Sequence, residues 1–236
     1  MISKLPMIDV AANHRKVVER INQAAARTGR DAASIRLLAA AKSQDVELIR
    51  AAVAAGVSLI GENYVQEAMA MKARIPEPAE WHMIGHLQRN KARNAVGLFD
   101  LIESLDSIAL ARELDKEGRK AGKRVRTFIE VNLAGEESKT GIAADQVFFL
   151  LQEAAKLANL TVEGLMTVPP FRENPEDVRP YFRELRELLC RMQELRLPNM
   201  NLKELSMGMS QDYEVAIEEG ATIVRIGTAL FGPRRA

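Results

Sequence analysis

The sequence contains a single cysteine, Cys190, among 236 residues. One cysteine cannot form an internal disulfide, and no cysteine cluster provides the ligand spacing of a zinc site. No run of about 18 apolar residues occurs that would predict a transmembrane helix. The N-terminus, Met1 to Pro6, lacks the apolar core of a signal peptide. These absences predict a cytoplasmic protein in a reducing compartment.

An excess of one charge sign is also missing, because Lys and Arg number 33, Asp and Glu number 32, and the formal net charge is +1. Such a balance creates no overall field towards nucleic acid or an anionic membrane, so neither is expected as a partner. His82 and His86 are four residues apart, but no third ligand stands at suitable spacing, so no metal site is predicted. No long apolar stripe is left over once the helices are assigned, which predicts a monomer.

Short apolar runs alternate with amphipathic segments of helical periodicity, and an extra helix is predicted over residues 8–28. The predicted strands cover residues 36–42, 57–60, 81–86, 98–104, 125–133, 161–168, 202–206 and 222–226. Strict alternation of strand and helix indicates a parallel sheet. Eight units fit a single (β/α)₈ TIM barrel, class α/β, better than a doubly wound sheet of five or six strands. We expect one domain over residues 1–236.

Polar residues and glycines follow the predicted strands at the points where these end. The carboxyl ends of barrel strands carry the active site, so these residues should surround one opening. Each of them is a weak signal alone, whereas their common location predicts a site. They are Lys42, Glu62, Asn63, Gly85, His86, Glu103, Ser104, Asn132, Met166, Ser206, Gly208, Ser210, Arg225, Gly227 and Thr228.

Lys42 follows five apolar residues at the end of the first predicted strand. A buried ammonium without a partner tends to lose its proton, and the neutral amine attacks carbonyl carbon to form a Schiff base. The alternative interpretation is that Lys42 begins a loop and its ammonium reaches water. Its position alone favours neither.

Glycines and hydroxyl side chains cluster after the seventh and eighth strands, in Ser206–Ser210 and in Gly227 and Thr228. Glycine lets a phosphate approach backbone N–H groups, and barrels often bind phosphate at this place. The clusters therefore favour a phosphate site over plain turns. Arg225 lies within a buried strand and needs an acceptor. That acceptor is either a buried carboxylate, Glu62 or Glu103, or a bound heterocycle.

Several long stretches resemble the pyridoxal phosphate homeostasis proteins. They are Ala40–Ser43, Gly61–Glu67, Trp81–Lys91, Leu205–Ser210 and Val224–Gly232, in the family's order across almost the whole chain. The resemblance implies a barrel of the alanine racemase N-terminal-domain type, which is pyridoxal phosphate (PLP) fold type III. It also implies that the family's lysine, which holds pyridoxal 5′-phosphate as an aldimine, corresponds to Lys42.

The resemblance further implies that Asn63 lies near the cofactor and that Arg225 faces its ring nitrogen. Phosphate-binding positions of the family match Ser206, Gly227 and Thr228, together with the backbone of Met207 and Gly208. The predicted cofactor-binding set is Lys42, Asn63, Met166, Ser206, Met207, Gly208, Arg225, Gly227 and Thr228.

The predicted function is PLP homeostasis without catalysis, in which the protein buffers the cofactor and delivers it to apo forms of PLP-dependent enzymes. An arginine at the ring nitrogen does not favour a protonated pyridine, which makes the ring a weak electron sink. Racemisation also needs a second acid/base group, which alanine racemase takes from a further domain that we do not expect here. The alternatives are a racemase-like PLP enzyme and a Schiff-base aldolase for sugar phosphates.

Overall fold

A computed structural model describes residues 8–136 and 139–233. Eight parallel strands pair in sequence order, and the last pairs with the first to close a barrel. The strands are β1 (Arg36–Ala40), β2 (Leu59–Glu62), β3 (Glu80–Met83), β4 (Leu101–Leu105), β5 (Val125–Glu130), β6 (Leu160–Met166), β7 (Met200–Met209) and β8 (Ile223–Ile226). The predicted (β/α)₈ barrel is confirmed.

Helices connect the strands on the outside of the barrel. They are α1 (Val10–Arg27), α2 (Val46–Ala54), α3 (Val65–Lys72), α4 (Ala92–Leu98), α5 (Ile108–Ala121), α6 (Val147–Ala154), α7 (Arg179–Gln193), α8 (Tyr213–Glu218) and α9 (Thr228–Phe231). Short 3₁₀ turns occur at Ala32–Ser34, Arg89–Lys91, Ala144–Gln146 and Pro175–Val178. In the described part of the chain, no helix combines the length and the apolar character needed to span a bilayer.

The extra N-terminal helix α1 is confirmed and covers the outside of the barrel near the seam between β8 and β1. Its start is fixed by Asp9, whose carboxylate accepts a hydrogen bond from Ala12 N at 2.8 Å. One face of α1 buries apolar side chains such as Val17 and Ile21. It packs on α2, α8 and α9, and Asn13 Nδ2 donates to Leu230 O at 3.0 Å. The helix therefore connects the first and the last βα units of the barrel.

Some predicted strand bounds are wrong at their ends. β1 stops at Ala40, so Lys42 lies in the following turn, and β3 stops at Met83. Residue 98, predicted as the start of the fourth strand, belongs to α4. β7 is longer than predicted and includes Gly208, which has φ 91°. Ladder pairing with neighbouring strands sets these limits, and local apolar runs do not report where that pairing stops.

Side chains on each strand alternate between the helix layer and the barrel interior. Near the middle, the interior is filled by Leu38, Leu59, Leu101, Phe128, Met166 and Ile223, with Ile84 packed against them. At the amino-terminal end, Arg36 lies 3.9 Å from Glu80 and 3.3 Å from Glu204, and Arg126 lies 2.7 Å from Glu80. These ion pairs close one end of the barrel and leave the carboxyl ends of the strands for a site.

Candidate functional site

A cavity of about 490 Å³ opens at the carboxyl ends of the strands. Its lining residues come from the last residue of β5 and from the segments after β1, β2, β3, β5 and β6. They are Lys42, Asn63, Ile84, Gly85, His86, Glu130, Val131, Asn132, Lys139, Thr140 and Val168. A second cavity of about 310 Å³ shares Asn63, Gly85 and His86 with it. The larger one has the size of a site for a small-molecule cofactor.

Lys42 is half-buried on the cavity wall, in the turn after β1. Its Nζ lies 5.9 Å from the centroid of the Tyr64 ring, a cation–π distance. Within residues 8–136 and 139–233, no carboxylate lies within 4.0 Å of this nitrogen, so no ion pair holds the amine in a fixed place. The amine is therefore available to a group bound in the cavity.

Gly85 brings the loop after β3 directly against Asn63. A Cβ atom on Gly85 would lie 2.5 Å from Asn63 O and 2.7 Å from Asn63 Cα. Both are backbone atoms that cannot move aside cheaply. A residue without a side chain is thus needed here to form this part of the cavity wall.

We expect Gly85→Ala to lower the free energy of unfolding by roughly 1–3 kcal/mol through overpacking. Urea unfolding measures this loss. Gly97→Ala is the matched control, because a Cβ at Gly97 in α4 meets nothing within 4 Å. The control should be neutral or slightly stabilising. Equal effects of the two substitutions would contradict the close approach at Asn63.

Arg225 lies on β8 and is 4% exposed. Its Nη1 donates to Ser206 Oγ and its Nη2 to Thr167 O, each at 2.7 Å. Ser206 Oγ in turn donates to Glu103 Oε2 at 2.5 Å. Of the two carboxylates predicted as partners, Glu103 is therefore the one that Arg225 reaches, and it does so through a hydroxyl group.

Glu62 is not a partner of Arg225, because it lies on the other face of its strand. On the same strand, Leu59 belongs to the barrel interior, and a Cβ on Gly61 would point at Leu38 and Ile84 in that interior. Strand alternation then places Glu62 towards the helices. It is 1% exposed, and burial followed by the charge of Glu67 raises its pKa to about 7.

This pKa predicts a pH-dependent cost to stability. The unfolded chain loses the Glu62 proton near pH 4.5 and the folded chain near pH 7. The folded state binds more protons between these values, so stability falls as the pH rises through that window, by roughly 3 kcal/mol. We expect Glu62→Gln to match the wild type in urea unfolding below pH 4.5 and to exceed it by this amount at pH 8. A pH-independent difference would disprove the assignment.

The two segments predicted to bind phosphate lie against each other. Ser210 Oγ accepts hydrogen bonds from Gly227 N at 3.2 Å and from Ala229 N at 3.1 Å. Gly208 packs its backbone closely on α8, since a Cβ there would lie 2.6 Å from Ala216 Cβ. The Met207 side chain is fully buried in the layer between barrel and helices, so only its backbone can face the predicted phosphate site.

Only Lys42 and Asn63 of the predicted cofactor-binding residues line the larger cavity. Met166, Ser206 and Arg225 are fully or almost fully buried on the inward faces of β6, β7 and β8. The remaining positions, Met207, Gly208, Gly227 and Thr228, belong to the segments just described.

Glu130, Lys139 and Thr140 also line the cavity but were not predicted from the sequence. Glu130 is 6% exposed, its Oε1 accepts from Thr140 Oγ1 at 2.6 Å, and burial raises its pKa. The sequence did contain a signal for Glu130, because a carboxylate within the apolar run of β5 is unusual and indicates a functional or paired group. His86 on the cavity wall also pairs with Asp106, at 3.1 Å from Nδ1 to Oδ2.

Within residues 8–136 and 139–233, no group of three or more His, Cys, Asp or Glu side chains could hold a metal ion.

Comparison with known proteins identifies the family. The family model described as alanine racemase, N-terminal domain, matches residues 13–235. A pyridoxal phosphate homeostasis protein of Aquifex aeolicus is 48% identical over 221 residues, which is 93% of this chain and 96% of that protein. The chain belongs to the pyridoxal phosphate homeostasis protein family. The resemblance predicted from the motifs is confirmed.

Solved structures agree with this family. PipY of Synechococcus elongatus PCC7942, with PLP bound, superimposes with a TM-score of 0.79 at 36% identity, covering 92% of this chain and 100% of that one. An alanine racemase of Clostridium difficile 630 gives a TM-score of 0.74 at 13% identity, covering 95% of this chain and 60% of that one. The second likeness is one of fold alone.

Proposed function

We propose that this protein binds pyridoxal 5′-phosphate at the carboxyl end of the barrel and acts in PLP homeostasis. The observation that carries the proposal is the position of Lys42, whose amine faces a cavity of about 490 Å³ without a carboxylate partner in the described residues. The chain is also 36% identical to PipY, a protein whose structure contains PLP. Bound PLP supplies an aldehyde, with which a lysine amine forms a covalent link.

Residues on the cavity wall and in the segments after β7 and β8 fit this cofactor. Lys42 provides the amine, and Asn63 lies beside it on the same wall. Gly227 suits the approach of a phosphate, because a Cβ at this position would meet only Ala40 atoms, at 3.7 and 3.8 Å. Thr228 adds a hydroxyl donor, and the backbone of Met207 and Gly208 completes the proposed phosphate site.

Arg225 is the proposed donor to the ring nitrogen, and Met166 would provide apolar packing for the ring. The Ser206 hydroxyl is engaged by Glu103 and Arg225. We therefore assign to Ser206 the task of holding Arg225, and its backbone is the part that can face a phosphate. A guanidinium next to the ring nitrogen keeps the pyridine unprotonated, which weakens its ability to stabilise carbanions.

We propose that the protein does not turn over substrates and that apo forms of PLP-dependent enzymes receive its cofactor. To test delivery, the PLP-loaded protein is freed of unbound cofactor and incubated with such an apo-enzyme, either mixed or separated by a dialysis membrane. Recovery of activity only on mixing indicates transfer by contact. Failure to reactivate the apo-enzyme in either arrangement would contradict delivery.

The racemase-like alternative predicts exchange of the α-hydrogen of an amino acid with solvent deuterium. NMR of free amino acids incubated with the PLP-loaded protein measures it, and exchange lost in Lys42→Ala would favour the enzyme. We expect no exchange above that of free PLP. The proposed monomer is checked separately by sedimentation.

A further inference from the structure

A line of buried polar side chains leads through the barrel interior to Arg225. His82 Nδ1 on β3 lies 2.6 Å from Glu103 Oε1 on β4. Glu103 Oε2 accepts from Ser206 Oγ at 2.5 Å, and Ser206 Oγ accepts from Arg225 Nη1 at 2.7 Å. His82, Glu103 and Ser206 are fully buried. With water excluded, these groups depend on each other for their hydrogen bonds.

The directions of these hydrogen bonds follow from Arg225. A guanidinium only donates, so Ser206 Oγ accepts from it and gives its single hydrogen to Glu103. Glu103 also faces His82, and as a carboxylate it accepts from both Ser206 Oγ and a protonated Nδ1 of His82. Burial alone would raise the pKa of Glu103, but the hydrogen bond and charge of His82, followed by the charge of Arg225, hold it below the ordinary value.

His82 lies between the carboxylates of Glu103 and Glu80, which favour its protonated form. Burial alone lowers the pKa of His82, but the hydrogen bond to Glu103 and the nearby carboxylate of Glu80 leave it raised. His82 Nε2 lies 3.2 Å from Glu80 Oε1, which is ion-pair contact rather than a well-directed hydrogen bond, and Glu80 Oε1 lies 2.7 Å from Arg126 Nη1. Charges therefore alternate from Arg126 at the closed end of the barrel to Arg225 at the site.

We propose that His82 is a positioning residue for the cofactor site, a protonated imidazole that keeps Glu103 ionised and thereby fixes Ser206 and the guanidinium of Arg225. The second contact of Arg225, to Thr167 O, sets the plane of the guanidinium. The identity of the ligand rests on the proposed function, whereas the line of charges belongs to the chain itself. Removing the imidazole charge leaves Glu103 as a buried anion that takes up a proton, and Ser206 then loses its ionised acceptor.

The first test uses the ligand-free wild-type protein. The chain has three histidines, so ¹⁵N NMR can follow every imidazole, and His14→Gln and His86→Gln assign the other two signals. We expect both nitrogens of His82 to stay protonated at pH values at which an unperturbed imidazole is neutral. A neutral His82 at pH 7 would overturn the proposal without recourse to a His82 variant.

The same measurement on Glu103→Gln tests whether the Glu103 carboxylate holds the proton on His82. The variant keeps an oxygen that accepts from His82 Nδ1 but removes the negative charge. We expect the imidazole to titrate at a lower pH than in the wild type, because the carboxylate charge that favours its protonated form is gone. An unchanged titration would show that Glu103 does not hold the proton on His82.

The second test is a double-mutant cycle on PLP affinity, followed by absorption titration. His82→Asn retains a donor near the place of Nδ1 without the charge, and it should weaken binding roughly tenfold. In an Arg225→Lys background the same substitution should change the dissociation constant by less than about twofold, because His82 acts through Arg225. Additive effects would refute the positioning role.

Thermal unfolding of each variant accompanies the cycle, because a purely structural role would lower stability equally in both backgrounds and leave the binding effects additive. Absence of PLP binding by the wild type refutes the proposed function and this inference together. Binding by the wild type, combined with a neutral His82 or an additive cycle, refutes the positioning role alone.

Discussion

Replacing Lys42 with alanine is expected to abolish the visible absorption band that PLP gives when it is covalently linked to a lysine. Lys42 is the lysine on the cavity wall whose amine lies near the Tyr64 ring and has no carboxylate within 4.0 Å among the described residues. Without its amine the cofactor is held only by its phosphate and ring contacts. We expect affinity to fall by at least ~100-fold, about 2.7 kcal/mol. Absorption spectra and equilibrium dialysis measure the two effects.

Lys139 provides the matched control, because it also lines the cavity. Its Nζ lies 3.2 Å from Glu136 Oε1 and 3.4 Å from Val168 O, so its amine is already engaged. Lys139→Ala should retain the band. Loss of the band in Lys139→Ala but not in Lys42→Ala would move the covalent link to the other lysine. A colourless wild type that stays colourless with added PLP would bring the aldolase alternative forward.

Substitution of Gly227 by alanine should separate binding from folding. Gly227 has φ −108°, and a Cβ there meets only Ala40 atoms at ordinary contact distance. The ligand-free fold therefore accepts a methyl group, whereas a phosphate bound in the proposed site at this backbone would collide with it. We expect unchanged urea unfolding and a rise in the PLP dissociation constant of at least about tenfold, or 1.4 kcal/mol.

The control for this substitution is Gly97→Ala in α4, which should leave PLP affinity unchanged. Inorganic phosphate offers a second check, because it should compete with PLP in the wild type and less in Gly227→Ala. Unchanged PLP affinity in Gly227→Ala would remove Gly227 from the phosphate site. A large loss of stability in the ligand-free protein would show instead that the backbone here is more constrained than its contacts indicate.

The barrel itself was predictable from the sequence. Apolar runs buried on both faces alternate with amphipathic helices, and this periodicity is local information that survives without knowledge of the partners. The same pattern placed Lys42, Asn63 and Arg225 near strand ends and predicted that they surround one opening. In the structure Lys42 and Asn63 line the larger cavity, whereas Arg225 is buried on the inward face of β8. The family motifs lie at those ends, which is why the family could be named from the sequence and was confirmed by the comparisons.

The sequence left the acceptor of Arg225 open between a buried carboxylate, Glu62 or Glu103, and a bound heterocycle, and the tertiary structure decided between the two carboxylates. The face on which a strand residue lies depends on the start of that strand, and a shift of one residue exchanges the two faces. Glu62 turned out to face the helices, whereas Glu103 faces the interior. Ser206, which the motif assigned to phosphate, lies between Glu103 and Arg225 in the structure.

The cavity wall likewise required the folded structure. Glu130 and Thr140 meet across ten positions of sequence, and His86 meets Asp106 across helix α4 and strand β4. The sequence by itself determined which elements form and at which end of them the polar residues accumulate, because these follow from propensity and periodicity. Only the tertiary structure decided which of those residues touch, because strand register and barrel closure bring together side chains that no local pattern relates.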